Sequence, residues 1–426
     1  MIQDFKKIGT LKGKLKLPGD KSISHRSVMF ASMADGVSII RNCSDSEDVS
    51  STIKCFEELG CQFEKENSEI KVTGKGFKRF TKPEGKLKAG NSGTTTRLIC
   101  GILSAQNFES VITGDESLSQ RPMKRIVEPL TLMGANITAS GIGTLPLKIK
   151  PSASLRSINY KLQVASAQVK SALILCAIHL NDESVITETV PTRNHTENLL
   201  RLRTEHTAQG INIFVSKKNY PKPFNITVPS DISSAAFFIV LALLTKDSEI
   251  LIANVSLNET RTGVIQVLKS MGGKISIENE SLELGEPVGD LRIQSSKLVN
   301  VEIPSELIPN IIDEIPILSV AGLFSEGNFK VANAKELRVK ESDRIKSLCI
   351  NFRNAGLSVN EFEDGFEVIG QPTNLHVQFQ SFGDHRIAMA FAVMSLLLNN
   401  GGSVKDFECV GISNPNFVTQ IKNLWT

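Results

Sequence analysis

The chain has 426 residues, of which 41% are apolar and 22% charged, and its formal net charge is +3. That balance excludes a disordered chain and leaves enough length for two or three domains with large cores. So small a charge, with no basic tail or block, argues against a general nucleic-acid coat but leaves room for a basic cleft that takes an acidic small molecule.

The first residues, MIQDFKKIG, lack the apolar run of a signal peptide, so a cytoplasmic protein is expected. The longest apolar stretches, Phe237 to Leu244 and Ala388 to Leu398, are too short to span a bilayer and read as buried helices. The seven cysteines form no CxxC pair, which suits reduced thiols. The histidines show no ligand spacing, so no metal site is expected.

Along the chain, one design recurs six times: a turn rich in Gly, Ser or Asp, then a run of small and apolar residues. The copies are GDKSISHRSVMFASMA from Gly19, GNSGTTTRLICGILSA from Gly90, ASAQVKSALILCAI from Ala165, SDISSAAFFIVLALL from Ser230, IDEIPILSVAGLF from Ile312 and GDHRIAMAFAVMSLLL from Gly383. Each predicts an N-cap followed by a helix that is apolar around most of its circumference, and such helices belong inside a domain. Amphipathic helices are predicted between them in SEDVSSTIKCFEELG, RPMKRIVEPLTLMG and TRTGVIQVLKSMGG, ending at Gly. Short strands are predicted at Ser110 to Gly114 and in GTLPLKIK, NITVPS and FEVIG. The fold class is therefore α/β (α+β). Two domains are expected, each of three βαβαββ-type units with helices inside and sheets outside. The expected boundaries are 1–17 plus 230–426 for one domain and 18–229 for the other, with crossings near 17–18 and 229.

A helix N-terminus has unpaired N–H groups and a positive dipole end, so it attracts phosphate and carboxylate. Here the starts also carry Lys21, Ser22 and Arg26; Asn91, Ser92, Thr94 and Arg97; Ser166, Gln168 and Lys170; and Asp384, His385 and Arg386. Taken singly, each is also compatible with an ordinary solvated cap. The stretch GKLKLPGDKS is not a P-loop, because five residues separate Gly13 from Gly19 and Asp20 precedes Lys21. Two readings stand for KELRVKESDRIK, Lys335 to Lys346: a solvated helix with pairs such as Glu341 with Arg344, or part of a site. Two stand as well for Asp313 in IIDEIPIL, either an N-cap or a carboxylate held in a partly dry site and suited to take a proton.

Together LPGDKSISHR, GNSGTTTR, QRPMKR, SAQVKSA, DEIPIL, RVKESDR and GDHRIAMA resemble the signatures of the 5-enolpyruvylshikimate-3-phosphate synthase family, in its order and over nearly the whole chain. The resemblance implies two three-unit domains that close on the ligand. It implies transfer of the enolpyruvyl group of phosphoenolpyruvate to the 5-hydroxyl of shikimate 3-phosphate, releasing phosphate, in chorismate and aromatic amino-acid biosynthesis. No cofactor, metal, nucleic acid or membrane is implied, and a monomer is expected. Carried over residue by residue, Lys21, Ser22, Arg26, Ser166, Gln168, Arg193, Asp313 and Lys340 match contacts to shikimate 3-phosphate. Lys21, Asn91, Gly93, Thr94, Arg121, Gln168, Arg344 and Arg386 match contacts to phosphoenolpyruvate. Asp313, Glu341 and Lys21 match the proton-transfer groups.

One departure is that Ile412, in VGISNPNF, stands where many members carry a Lys. The SAQVK, RNHTE and NETR forms resemble the branch often less sensitive to glyphosate. The nearest rival is the UDP-N-acetylglucosamine enolpyruvyl transferase family, which usually has a reactive Cys where Gln120 to Arg125 here has none. A second rival is a non-catalytic anion-binding protein of the same fold, against which the presence of both Asp313 and Glu341 argues.

Overall fold

The computed structural model describes residues 1–66, 68–372 and 376–425. The chain forms two compact units. A terminal unit comprises Met1–Pro18, Pro229–Ser281 and Pro287–Thr426, and a central unit comprises Gly19–Val228 and Leu282–Glu286. The chain thus enters the central unit twice, the second time with the tip of a hairpin.

All six repeated segments form helices: Lys21–Met33, Gly93–Leu103 and Ala167–Ala177 in the central unit, and Ile232–Leu244, Ile315–Leu323 and His385–Leu397 in the terminal one. Their composition explains their depth. Ile232–Leu244, for example, buries twelve of its thirteen residues, so no face is left for solvent. Five of the six start on a side-chain cap. Asp20, Ser92, Ser166, Asp231 and Asp384 each accept from a backbone N–H two or three residues on, a bond worth about 0.5–2 kcal/mol at such positions. The three amphipathic helices form at Glu47–Glu58, Lys124–Leu132 and Gly263–Ser270. Gly60, Gly134 and Gly272, just beyond their ends, take positive φ, as a left-handed helix stop requires.

In the central unit each buried helix has its own four-stranded sheet. One runs Leu87–Lys88, Ser110–Thr113, Leu147–Lys150, Asn136–Thr138 in spatial order; its first pair is parallel and the others antiparallel. The other two sheets repeat that order, and Asn225–Thr227 returns from the end of the unit to complete the sheet of Val37–Arg41. Inward positions alternate along the strands: in Leu147–Lys150 the Leu and Ile are buried and both Lys exposed. The terminal unit keeps four strands in one sheet and three in each of the others. Each unit has a separate apolar core around its helices. The expected mixed α/β architecture, with buried helices under small sheets, is what folds.

Two readings of single segments need correction. Lys335 to Lys346 is not one solvated helix. A 3-10 turn, Lys335–Val339, is followed by extended chain at Lys340, and the helix Arg344–Asn354 begins only after Asp343 caps it. Asp313 is not the N-cap of Ile315–Leu323 either; Glu314 holds that position, without a side-chain cap bond.

Candidate active site

In the central unit the three buried helices are tied together near their starts by side chains. Lys21, the first residue of its helix, pairs with Asp48 of the Glu47–Glu58 helix at 2.8 Å. Thr52 of that helix lies 2.7 Å from His25 Nδ1 and 2.6 Å from Thr95 Oγ1, which links the Lys21 helix to the Gly93 helix. Arg26 bridges to the third helix. Its Nε donates to Thr196 (2.7 Å), its Nη2 to Ser171 (2.8 Å) and its Nη1 to the carbonyl of Ser22 (2.9 Å). Arg97 donates to Gln168 Oε1, whose Nε2 donates to Thr94, and this joins the second helix to the third. Gly101 packs so close to the third helix that a Cβ there would lie 2.1 Å from the carbonyl oxygen of Ala172.

This arrangement leaves cations close together. A Cβ on Gly93 would lie 2.8 Å from one Arg97 nitrogen and 3.6 Å from one of Arg121, so the missing side chain makes room for two guanidinium groups. Arg121 is aimed by Asn91 Oδ1 at 2.8 Å, and Asn91 is itself held by Asp115 at 2.7 Å. Burial pushes the Arg26 guanidinium down to about 10; Arg193 adds to that, while Glu197, Asp20 and Glu286 favour its charge. Ser166 caps the third helix through Val169 N. Lys170, one of the cations read at a helix start, turns inward instead. It is fully buried and pairs with Glu188 (2.8 Å) and Glu197 (2.7 Å).

In the terminal unit Asp313 lies in the turn between the helices Ile308–Ile311 and Ile315–Leu323. Three cations surround its carboxylate: Arg344 at 3.1 Å, Arg386 at 3.8 Å and Lys340 at 4.0 Å. Arg344 is 1% exposed and also bonds Glu341 (2.6 Å) and Asp384 (2.8 Å). Burial works against its charge, but Asp384, Glu341 and Asp313 together hold it above the ordinary arginine range. Burial holds Lys340 below the usual lysine range, against the pull of Asp313 and Glu336. Arg386 donates to the Asp313 carbonyl at 3.2 Å and lies 3.7 Å from Glu314. Buried Glu314 accepts from Ser233 at the start of the Ile232–Leu244 helix and faces Arg261 at 3.7 Å.

The predicted residues thus fall into two sets. Lys21, Ser22, Arg26, Asn91, Gly93, Thr94, Arg121, Ser166, Gln168 and Arg193 lie in the central unit, and Asp313, Lys340, Glu341, Arg344 and Arg386 in the terminal one. Sequence reasoning gave no role to Asp48, Glu314 or Arg261, and read Arg97 and Asp384 only as groups at helix starts. Glu314 had a visible signal, since it is the second acid in the apolar run IIDEIPIL. Ile412 ends a 3-10 turn, Phe407–Ile412, and is half-buried. Among the described residues no three His, Cys, Asp or Glu side chains gather as metal ligands, and no helix is long and apolar enough to cross a membrane.

Known proteins match nearly the whole of this chain. The family model for EPSP synthase (3-phosphoshikimate 1-carboxyvinyltransferase) matches residues 5–421. A 3-phosphoshikimate 1-carboxyvinyltransferase of Caldicellulosiruptor saccharolyticus is 46% identical over 96% of this chain and 95% of its own. One from Oceanobacillus iheyensis is 43% identical over 98% of this chain and 97% of its own. The solved EPSP synthase of Acinetobacter baumannii superimposes with a TM-score of 0.88 at 39% identity, covering 100% of this chain and 98% of that one. The enolpyruvyl transferase NikO of Streptomyces tendae shares the fold at 12% identity, with a TM-score of 0.72 over 99% of this chain and 97% of that one. On the length and identity of these matches, the chain belongs to the EPSP synthase family.

Proposed function

We propose that this enzyme transfers the enolpyruvyl group of phosphoenolpyruvate to the 5-hydroxyl of shikimate 3-phosphate and releases phosphate. The observation that carries the reading is Asp313, a carboxylate beside Lys340, Arg344 and Arg386, with Glu341 on the same Arg344. In the reaction the hydroxyl oxygen bonds C2 of phosphoenolpyruvate while C3 gains a proton. The tetrahedral intermediate then loses phosphate from C2 and a proton from C3. Asp313 accepts the hydroxyl proton, with Lys340 beside it to steady the hydroxyl. Glu341 and Lys21 serve C3. Lys21, Ser22, Arg26, Ser166, Gln168 and Arg193 hold shikimate 3-phosphate. Asn91, Gly93, Thr94, Arg121, Gln168, Arg344 and Arg386, again with Lys21, hold phosphoenolpyruvate. Fixed cations suit this chemistry because the carboxylate and the departing phosphate stay charged throughout.

We further propose a cytoplasmic monomer, a location supported by seven unpaired cysteine thiols. Burial pushes Cys100 up to about 12, which makes it a poor nucleophile and disfavours the rival that uses a reactive Cys.

The direct test measures phosphate release from phosphoenolpyruvate with shikimate 3-phosphate as acceptor. Release with UDP-N-acetylglucosamine alone would transfer the chain to the rival chemistry. No release with either acceptor would favour the non-catalytic reading. Asp313→Ala and Lys21→Met should each cost about 10²-fold or more in kcat. Near-normal turnover in either variant removes that residue from the mechanism.

A further inference from the structure

The strands Lys274–Glu283 and Glu286–Gln294 form a hairpin whose tip, Leu282–Glu286, belongs to the central unit. The tip is built for that place. Glu283 accepts from Thr227 N at 3.0 Å, and Leu284 packs against the central core. Gly285, at φ +84°, comes so near the Asn198 carbonyl that a Cβ would lie 3.0 Å from it. Glu286 is fully buried; its Oε1 lies 3.0 Å from His195 Nδ1 and accepts from Asn198 Nδ2 at 3.3 Å.

His195 and Asn198 belong to the short helix His195–Leu200, whose other residues reach the site. Thr196 receives the Nε–H of Arg26 and lies 2.7 Å from Ser171. Glu197 holds Lys170. Arg193 lies two residues before His195. A tip that served only to dock would need apolar contacts, because a buried carboxylate is costly unless its partners use it. Here the carboxylate sits where the helix presents Thr196 to Arg26, and its charge also favours the cationic form of Arg26.

We propose that Glu286 is a positioning residue for shikimate 3-phosphate, fixing through His195 and Asn198 the segment that sets Arg193, Thr196 and Arg26. This rests on the function proposed above. Its test is calorimetric titration of shikimate 3-phosphate into the wild type and the variants Glu286→Ala, Glu286→Asp and Glu286→Gln. Steady-state KM is measured for both substrates. The exposed Glu280→Ala, on the same hairpin, is the control.

In Glu286→Ala and Glu286→Asp, Kd and KM for shikimate 3-phosphate should rise about 10- to 100-fold, the usual scale for misplaced binding groups. KM for phosphoenolpyruvate and kcat should hold. Glu286→Gln keeps an acceptor for His195 and should recover most of the affinity. Should Glu286→Ala fail to fold, Glu286→Asp decides, since it keeps the charge and withdraws only the reach. Wild-type affinity in a folded Glu286→Asp, or an equal rise in KM for both substrates, overturns the proposal. A wild type that does not bind shikimate 3-phosphate overturns the assigned function instead.

Discussion

The two units solve the same problem, three buried helices whose starts must be held together, with different side-chain ties. In the central unit the ties are largely hydroxyls and an amide: Thr52, Thr95, Thr196, Ser171 and Gln168. Lys21 pairs with Asp48, and Glu197, Asp20 and Glu286 favour the charged form of Arg26. In the terminal unit the ties are themselves charged. Asp313, Glu314, Glu336, Glu341 and Asp384 face Arg261, Lys340, Arg344 and Arg386. The terminal unit holds its acids among cations, so its buried charges depend on one another. Removing a charge should therefore cost stability in the terminal unit and mainly substrate binding in the central one.

Replacing Arg344 with Ala tests that contrast at its widest. It strips a 1%-exposed guanidinium from Asp384, Asp313 and Glu341. Leaving a buried carboxylate, here Asp384, without its partner costs about 3–5 kcal/mol. Arg121→Ala loses neutral contacts to Asn91 and Ser117, so its unfolding midpoint without ligand should stay near that of the wild type. Its turnover should still fall about 10²-fold or more. Thermal and denaturant unfolding of the two variants checks the split, and equal loss of stability in both would erase the contrast.

Acid should separate the units by a second route. Burial lowers His25 to about 3 and His179 to about 4 from 6.5, and both lie in the central unit. The sign follows from linkage. Between pH 6.5 and those folded values the unfolded chain binds protons that the folded chain refuses. Stability is thus fully present above 6.5 and is lost as pH falls toward 4 and then 3. The chain carries its own reporters: both tyrosines, Tyr160 and Tyr220, are in the central unit, and the single tryptophan, Trp425, is in the terminal one. Tyrosine signals should move at higher pH than tryptophan fluorescence, and coincident transitions would show that the two units unfold as one.

How much of this was legible follows from the range of each interaction. The buried helices and their caps depend on residues within one turn of each other, so Asp20, Ser92 and Ser166 announce them. Lys170 sits in the same local pattern as the site cations, and only pairing with Glu188 and Glu197, 18 and 27 residues on, turns it inward. Glu286 meets His195 across 91 residues, a distance over which no spacing rule operates. Family resemblance supplied the roles of Asp313 and Glu341. Local reading left Asp313 evenly divided between cap and catalyst, because its three cations come from two distant segments of the chain, Lys340 and Arg344 from one and Arg386 from the other.

Lys340 sharpens the comparison from the catalytic side. Burial lowers its affinity for a proton, so its charge is lost at a lower pH than that of a free lysine. Activity should fall on the alkaline side as pH rises through that lowered value. Lys340→Arg keeps the charge at every working pH and should move the fall to higher pH, at some loss of rate from altered geometry. A pH–rate profile unchanged by the substitution would assign the alkaline limb elsewhere, with Lys21 the next cation to examine.

The smallest expected effect probes the pairing itself. Ile412 is half-buried at the end of the Phe407–Ile412 turn, where many relatives carry a Lys by the resemblance described above. Ile412→Lys would add a cation to the terminal unit. A partly exposed charge gains little from its partners, about 0.2–1 kcal/mol, so KM for phosphoenolpyruvate should fall by no more than about fivefold. KM for shikimate 3-phosphate should not change. If KM rises instead, an added cation disturbs the pairing of this unit, and the absence of the lysine is then part of how the terminal unit keeps its acids paired.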